Sequence, residues 1–165
     1  MAKWNEKNAY SVYLCTSRFN NETYYENKIA KQRLGFKCMY CSLTNVSNIY
    51  SSDYLFVLEM NNEENQIMGI GYVQNMLSDI VYRIYSNKNY DQRHFQGTHH
   101  VNRDQMNEKE LDFMKELEMS CFYGKANLKR GMRLTRYPEK KINKYQEKGV
   151  NVLENIKQIF NRVYG

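Results

Sequence analysis

The sequence predicts a mixed α+β fold, and three observations carry that reading. Two nearly continuous apolar runs, Tyr54–Met60 and Gln66–Gln74, flank the polar turn Asn61-Asn-Glu-Glu-Asn65, which is the pattern of a β-hairpin. Elsewhere apolar residues recur at helical spacing: Leu111, Met114, Leu117 and Cys121 behind Asn107, then Leu153, Ile156, Ile159, Phe160 and Val163. The composition suits one packed domain over residues 1–165, with 42% hydrophobic and 14% aromatic residues, one proline and no Gly/Ser-rich linker.

Taken in order, Ser11–Thr16 reads as a first strand, with β-branched and aromatic residues in partial alternation. Asn20 and Asn21 are N-cap candidates for a helix from Glu22 to Leu34, and Gly35 is its stop. The apolar face of that helix is thin, so it should lie on the surface of a sheet. Phe36–Ser42 reads as a second strand. The hairpin should be central and covered on both faces, with Gly69 and Gly71 marking a bulge or a close approach to the backbone. Tyr82–Ser86 reads as another strand, and the polar stretch from Asn87 to Arg103 as a solvated hairpin end. Asn107 and Glu110 form a capping box at the next helix. Arg133–Arg136 looks strand-like, Pro138 opens a short helix to Lys148 stopped by Gly149, and Val150–Val163 forms the last helix.

Charge is segregated. Between Glu118 and Glu139 there are five basic residues (Lys125, Lys129, Arg130, Arg133, Arg136), three aromatics, two glycines and no acid. From Phe122 to the end, 11 Lys and Arg stand against 3 Asp and Glu, whereas the preceding residues carry 13 against 15. The whole positive excess therefore lies in the last quarter of the chain, where it attracts anionic partners. Interleaved cations and rings suit a phosphate backbone and the faces of bases.

The cysteines are Cys15, Cys38, Cys41 and Cys121. The Cys38-x-x-Cys41 spacing invites a zinc or dithiol reading, but zinc needs four ligands, and residues three apart on a strand face opposite ways. Buried thiols are the favoured reading, and no metal or cofactor is expected. The three histidines, His94, His99 and His100, leave a metal or acid/base role open at His99-His100, although no nucleophile or paired carboxylate accompanies them at a recognisable spacing. The opening Met-Ala-Lys-Trp-Asn-Glu lacks the apolar core of a secretory signal, and no apolar run approaches the ~20 residues of a membrane span. A cytoplasmic or nuclear protein is expected.

The strand Phe36–Ser42, with its Tyr40-Cys41-Ser42, and the hairpin Tyr54-Leu-Phe-Val-Leu-Glu-Met60 to Met68-Gly-Ile-Gly-Tyr-Val73 resemble the YTH/EVE branch of PUA-like domains. The resemblance covers about Ser11 to Pro138. It implies a small mixed β-barrel with flanking helices. YTH members read RNA carrying N6-methyladenine by flipping the base into an aromatic cage. By that likeness Tyr40, where the family has Trp, is a cage wall followed by Cys41 and Ser42, and Thr16-Ser17 supplies a polar corner. Tyr82, Tyr85 or Tyr90 would complete the cage, and the basic segment is placed like the family's late RNA-backbone strand. The richness in Asn and Tyr looks like proteins of large DNA viruses, which would put the protein in host cytoplasm or a viral factory.

The leading expectation is a non-enzymatic domain that binds single-stranded RNA, with Ser17, Tyr40, Cys41, Ser42 and Tyr85 around a base. Lys125, Lys129, Arg130, Arg133 and Arg136 would hold the phosphates. The alternatives are a protein-interaction or virion module whose basic face docks an acidic partner, and an enzyme acting on a nucleotide through His99 or His100.

Overall fold

The computed structural model describes residues 11–131 and 133–165; Trp4, the opening segment and Met132 lie outside them. Among the described residues, seven strands and four α-helices follow one another as β1 (Val12–Phe19), α1 (Asn21–Leu34), β2 (Cys38–Ser42), β3 (Tyr54–Asn61), β4 (Gln66–Gln74), β5 (Arg93–Gly97), β6 (His99–Asn102), α2 (Glu108–Phe122), β7 (Thr135–Arg136), α3 (Glu139–Glu147) and α4 (Val152–Tyr164). The fold is thus mixed α+β, as the sequence predicts. The strands form a five-stranded mixed sheet in the order β6-β4-β3-β1-β7 and a separate β2-β5 ladder, and among the described residues the ladders do not close into a barrel.

The hairpin β3–β4 lies at the centre of the large sheet, with β1 parallel to β3 on one side and β6 antiparallel to β4 on the other. Alternation along β3 divides the core in two. Phe56, Leu58 and Met60 face α2 and α4, where Met114, Leu117, Ile156, Ile159 and Phe160 close the larger cluster. Leu55 and Val57 face the opposite way, toward Cys38, Tyr40 and Phe95 of the small sheet. The chain passes from the small sheet to the large one at Thr98, because β5 pairs with β2 and β6 with β4. Ion pairs lock the helical layer: Arg103 to Glu118 at 2.6 Å, and Arg162 of α4 to Glu110 of α2 at 2.6 Å.

The capping signals work as written. Asn20 accepts from Thr23 N, with the reciprocal bond from Asn20 N to Thr23, and Gly35 ends α1 at φ 80°, a conformation that favours glycine. Asn107 and Glu110 form the expected box at α2. The register slips between Leu58 and Met60, so a bulge in β4 falls opposite Glu59, beside Gly69.

Two expectations fail. Tyr82–Ser86 is not a strand; only Val81 makes an isolated bridge, to Arg93. Its amides go to side chains instead: Ile84 N and Tyr85 N both donate to Asp91 Oδ1 at 2.9 Å, and Ser86 N donates to Glu26 Oε2 at 2.7 Å. Conversely, Asn87–Arg103 is not a solvated hairpin end. It holds β5 and β6, with His94 and His99 buried.

Candidate nucleic-acid interface

The basic segment leaves α2 at Phe122 and crosses the β1 edge, where Cys15 and Thr16 pair with Arg136 and Thr135. One buried side chain holds it there. Arg18 sits on the face of β1 that also carries Leu14 and Thr16, and is 4% exposed. Its Nε donates to Gly131 O at 3.0 Å, Nη1 to Leu128 O at 3.1 Å and Nη2 to Arg133 O at 2.9 Å. Further bonds reach Thr16 and Thr135 Oγ1, each at 3.0 Å. Burial lowers the Arg18 pKa from its ordinary value, yet a guanidinium in a protein keeps its charge. Three carbonyls of the segment therefore point inward at one cation, and its own cations are left on the outside. The sequence signal was a charged residue continuing the inward register of Leu14 and Thr16.

Lys125, Arg130 and Arg133 are exposed. The other two cations are partly engaged: Lys129 Nζ lies 5.9 Å from the Phe122 ring centroid, and the Arg136 guanidinium stacks 4.6 Å over Tyr13 while reaching Glu139 at 3.6 Å. Leu134 N donates to Cys41 O at 3.4 Å, which brings the segment against the end of β2.

At that junction lies a concavity of about 420 Å³, lined by Cys41, Asn89, Tyr90, Gln92, Gly131 and Arg133. Three separate stretches meet in it: β2 supplies Cys41, the loop before β5 supplies Asn89, Tyr90 and Gln92, and the basic segment supplies Gly131 and Arg133. Tyr90 packs edge-on against Tyr85, with centroids 6.4 Å apart, and the Tyr85 hydroxyl accepts from Asn27 Nδ2 at 3.1 Å. Gln92 Oε1 itself is turned inside the wall, buried and without a hydrogen-bond partner among the described residues. Behind it His94 stands opposite Cys41 in the ladder, with neither ring nitrogen hydrogen-bonded. Burial lowers the His94 pKa to about 4, against a smaller upward pull from Asp91, so the ring is neutral at pH 7. Burial likewise raises the Cys41 pKa to about 11, which keeps it a thiol.

The predicted base-contacting residues scatter. Cys41 lines the concavity, and Tyr85 supports it from within. The expected cage wall, Tyr40, is 0% exposed and faces the other way, into the core between the sheets, where its hydroxyl donates to Glu59 Oε2 at 2.6 Å. Ser17 and Ser42 are also buried, and Ser42 donates to Thr44 O at 2.9 Å. These three side chains do not reach the concavity because alternation on β1 and β2 directs them elsewhere. Tyr82 lies 6.2 Å from His94, centroid to centroid. Tyr90, Gln92 and Asn89 are the lining residues to which the sequence pattern assigned no specific contact, apart from Tyr90 as one of three aromatic options.

Cys38 and Cys41 open on opposite faces of β2: Cys38 donates to His99 O at 3.6 Å, while Cys41 lines the concavity. Among the described residues no group of three or more His, Cys, Asp and Glu is placed to hold a metal ion, and no helix is long and apolar enough to cross a membrane. No family model, curated protein or solved structure matches this chain.

Proposed function

We propose that this protein is a non-enzymatic binder of single-stranded RNA that takes one extruded base into the concavity between Tyr90 and Arg133. The observation that carries the reading is the convergence there of an aromatic ring, Tyr90, and an exposed cation, Arg133, beside the rest of the basic segment. Its volume of about 420 Å³ lies within the ~300–1,000 Å³ typical of small-ligand sites. Tyr90 offers a stacking face to a base such as N6-methyladenine, and Asn89 and Gln92 are the polar side chains of the wall. Lys125, Arg130 and Arg133 meet the phosphates, with Lys129 and Arg136 at the margin. The PUA-like reading rests on the small sheet folded across the large one at Gly97–His99, as at a barrel corner. On this reading Tyr40 belongs to the core, and the base contact moves to Tyr90.

Stacking is worth ~1–3 kcal/mol per base, so the concavity sets selectivity and the cations supply most affinity. Arg130→Ala with Arg133→Ala then weakens every RNA alike and reduces the salt slope by about two. Tyr90→Ala instead removes discrimination between bases with little change in slope. Equal loss of discrimination from both variants contradicts this division of labour.

One observation favours a second reading, a protein-interaction module. Leu43, Met76, Ile80 and Val81 are exposed on neighbouring loops, which are tied by Asn75 to Val46 and by Leu77 N to Asn45. Protein purified free of nucleic acid, with no affinity for RNA at low salt, supports that reading.

A further inference from the structure

A polar chain crosses the sheet on the side of β4 that faces the small sheet. Tyr40 donates to Glu59 Oε2, and Glu59 Oε1 and Oε2 lie 3.1 and 3.0 Å from His100 Nε2. The two glycines of β4 make room for it. A Cβ at Gly71 would strike the Tyr40 hydroxyl, and one at Gly69 would come within 2.8 Å of Glu59 Oε1 and 2.9 Å of His100 Nε2. Burial pushes the Glu59 carboxyl up, but the charge and hydrogen bond of His100, with Lys31 and Tyr40, overcome it and hold the pKa at about 2. A buried carboxylate is costly unless fully partnered, and here two glycine positions are given over to partnering it.

The chain of contacts has one open end. Tyr40 and Glu59 are sealed in the core, whereas His100 reaches a concavity of about 360 Å³ that it lines with Tyr24, Lys28, Lys31, Lys37 and Asn102. Its Nε2 is committed to Glu59, so Nδ1 is the nitrogen left for the concavity. None of the lining side chains is acidic, and among the described residues none of the three lysines ion-pairs with a carboxylate. Lys31 lies in the last turn of α1, where a cation offsets the helix dipole. That role does not account for Lys37 beyond the helix, nor for His100 and Asn102 arriving from β6.

We propose that this concavity binds a phosphate monoester, such as the terminal phosphate of a nucleotide or of an RNA end. Lys28, Lys31 and Lys37 supply the charge that matches a dianion, and His100, with Nε2–H on Glu59, donates from Nδ1 as the doubly protonated ring that Glu59 and the phosphate together favour. Tyr24 and Phe36, both in the lining, offer rings to the attached nucleoside. The site shares no lining residue with the Tyr90–Arg133 concavity, so it stands or fails separately from the RNA-binding reading.

The test is calorimetric titration of the full chain at low salt with adenosine 5′-monophosphate and with adenosine. The monophosphate is expected to saturate one site, with adenosine at least tenfold weaker. Lys28→Gln with Lys37→Gln, both at exposed positions that leave the core intact, is expected to weaken the monophosphate at least tenfold. Lys144→Gln with Lys148→Gln, a charge-matched control at exposed positions outside both concavities, is expected to leave it unchanged. A 3′-labelled RNA with a 5′-phosphate, compared with its 5′-hydroxyl form, identifies the source. A gain from the 5′-phosphate that free monophosphate competes away supports an RNA end as the natural ligand, and equal binding of the two RNAs alongside monophosphate saturation supports a free nucleotide. The proposal is overturned if the monophosphate and adenosine bind alike or not at all, or if Arg130→Ala with Arg133→Ala, and not Lys28→Gln with Lys37→Gln, abolishes monophosphate binding.

Discussion

Replacing Arg18 with lysine keeps the charge and removes the fork. The guanidinium reaches three backbone carbonyls in three directions, Gly131 O from Nε, Leu128 O from Nη1 and Arg133 O from Nη2. A single ammonium on a lysine stem reaches one of them, so two charge-assisted bonds are lost in a part-buried setting. At ~1.5 kcal/mol each, the low end for hydrogen bonds to a charged group, the loss is about 3 kcal/mol. For a chain of this size that lowers the melting temperature by roughly 6–12 °C. Circular dichroism melts measure the global effect, and amide hydrogen exchange locates it, with protection expected to fall first at residues 128–135. RNA affinity is expected to fall too, although Arg18 itself does not reach solvent, because the cations of the segment lose their fixed placement. A melt within about 2 °C of the parent, with unchanged exchange across the segment, refutes the reasoning.

The remaining predictions concern the polar chain across β4. Gly71→Ala places a methyl against the Tyr40 ring, including Cζ at 2.8 Å, and is expected to cost about 3 kcal/mol in urea unfolding; a neutral result contradicts the packing described. Glu59 has its folded pKa depressed from 4.5 to about 2, so its contribution is fully present above the unfolded value and is lost as pH falls from about 4.5 toward 2. The stability gap between the parent and Glu59→Gln should therefore be about 3 kcal/mol at pH 6 and shrink across that window; a gap independent of pH between 5 and 2 contradicts it.

The parts of the fold legible in sequence were those fixed by local chemistry. Asn20 with Gly35, and Asn107 with Glu110, delimit helices through their own side chains or left-handed backbone, so nothing distant was needed. The β3–β4 hairpin was legible because both its faces are covered and its polar turn interrupts the apolar run. β5 was hidden because Arg93, His94 and Gln96 lack strand-like propensity on their own; pairing with β2 decides it. Tyr82–Ser86 misled for the opposite reason, since its apolar pattern is overruled by Asp91 and Glu26 accepting its amide protons. The site split along the same line. The basic segment is written contiguously and was visible. Which face of β2 meets it depends on register against β5, and a one-residue difference in facing separates Cys41, in the concavity, from Tyr40, in the core.

The most direct test of nucleic-acid reading is fluorescence anisotropy of the full chain with short single-stranded RNAs, plain and carrying N6-methyladenine, at about 50 and about 200 mM salt. Affinity that falls with salt while a preference for the methylated RNA persists is the predicted result, since phosphate contacts are screened and a base held against Tyr90 is not. Absence of binding to either RNA at either salt contradicts it.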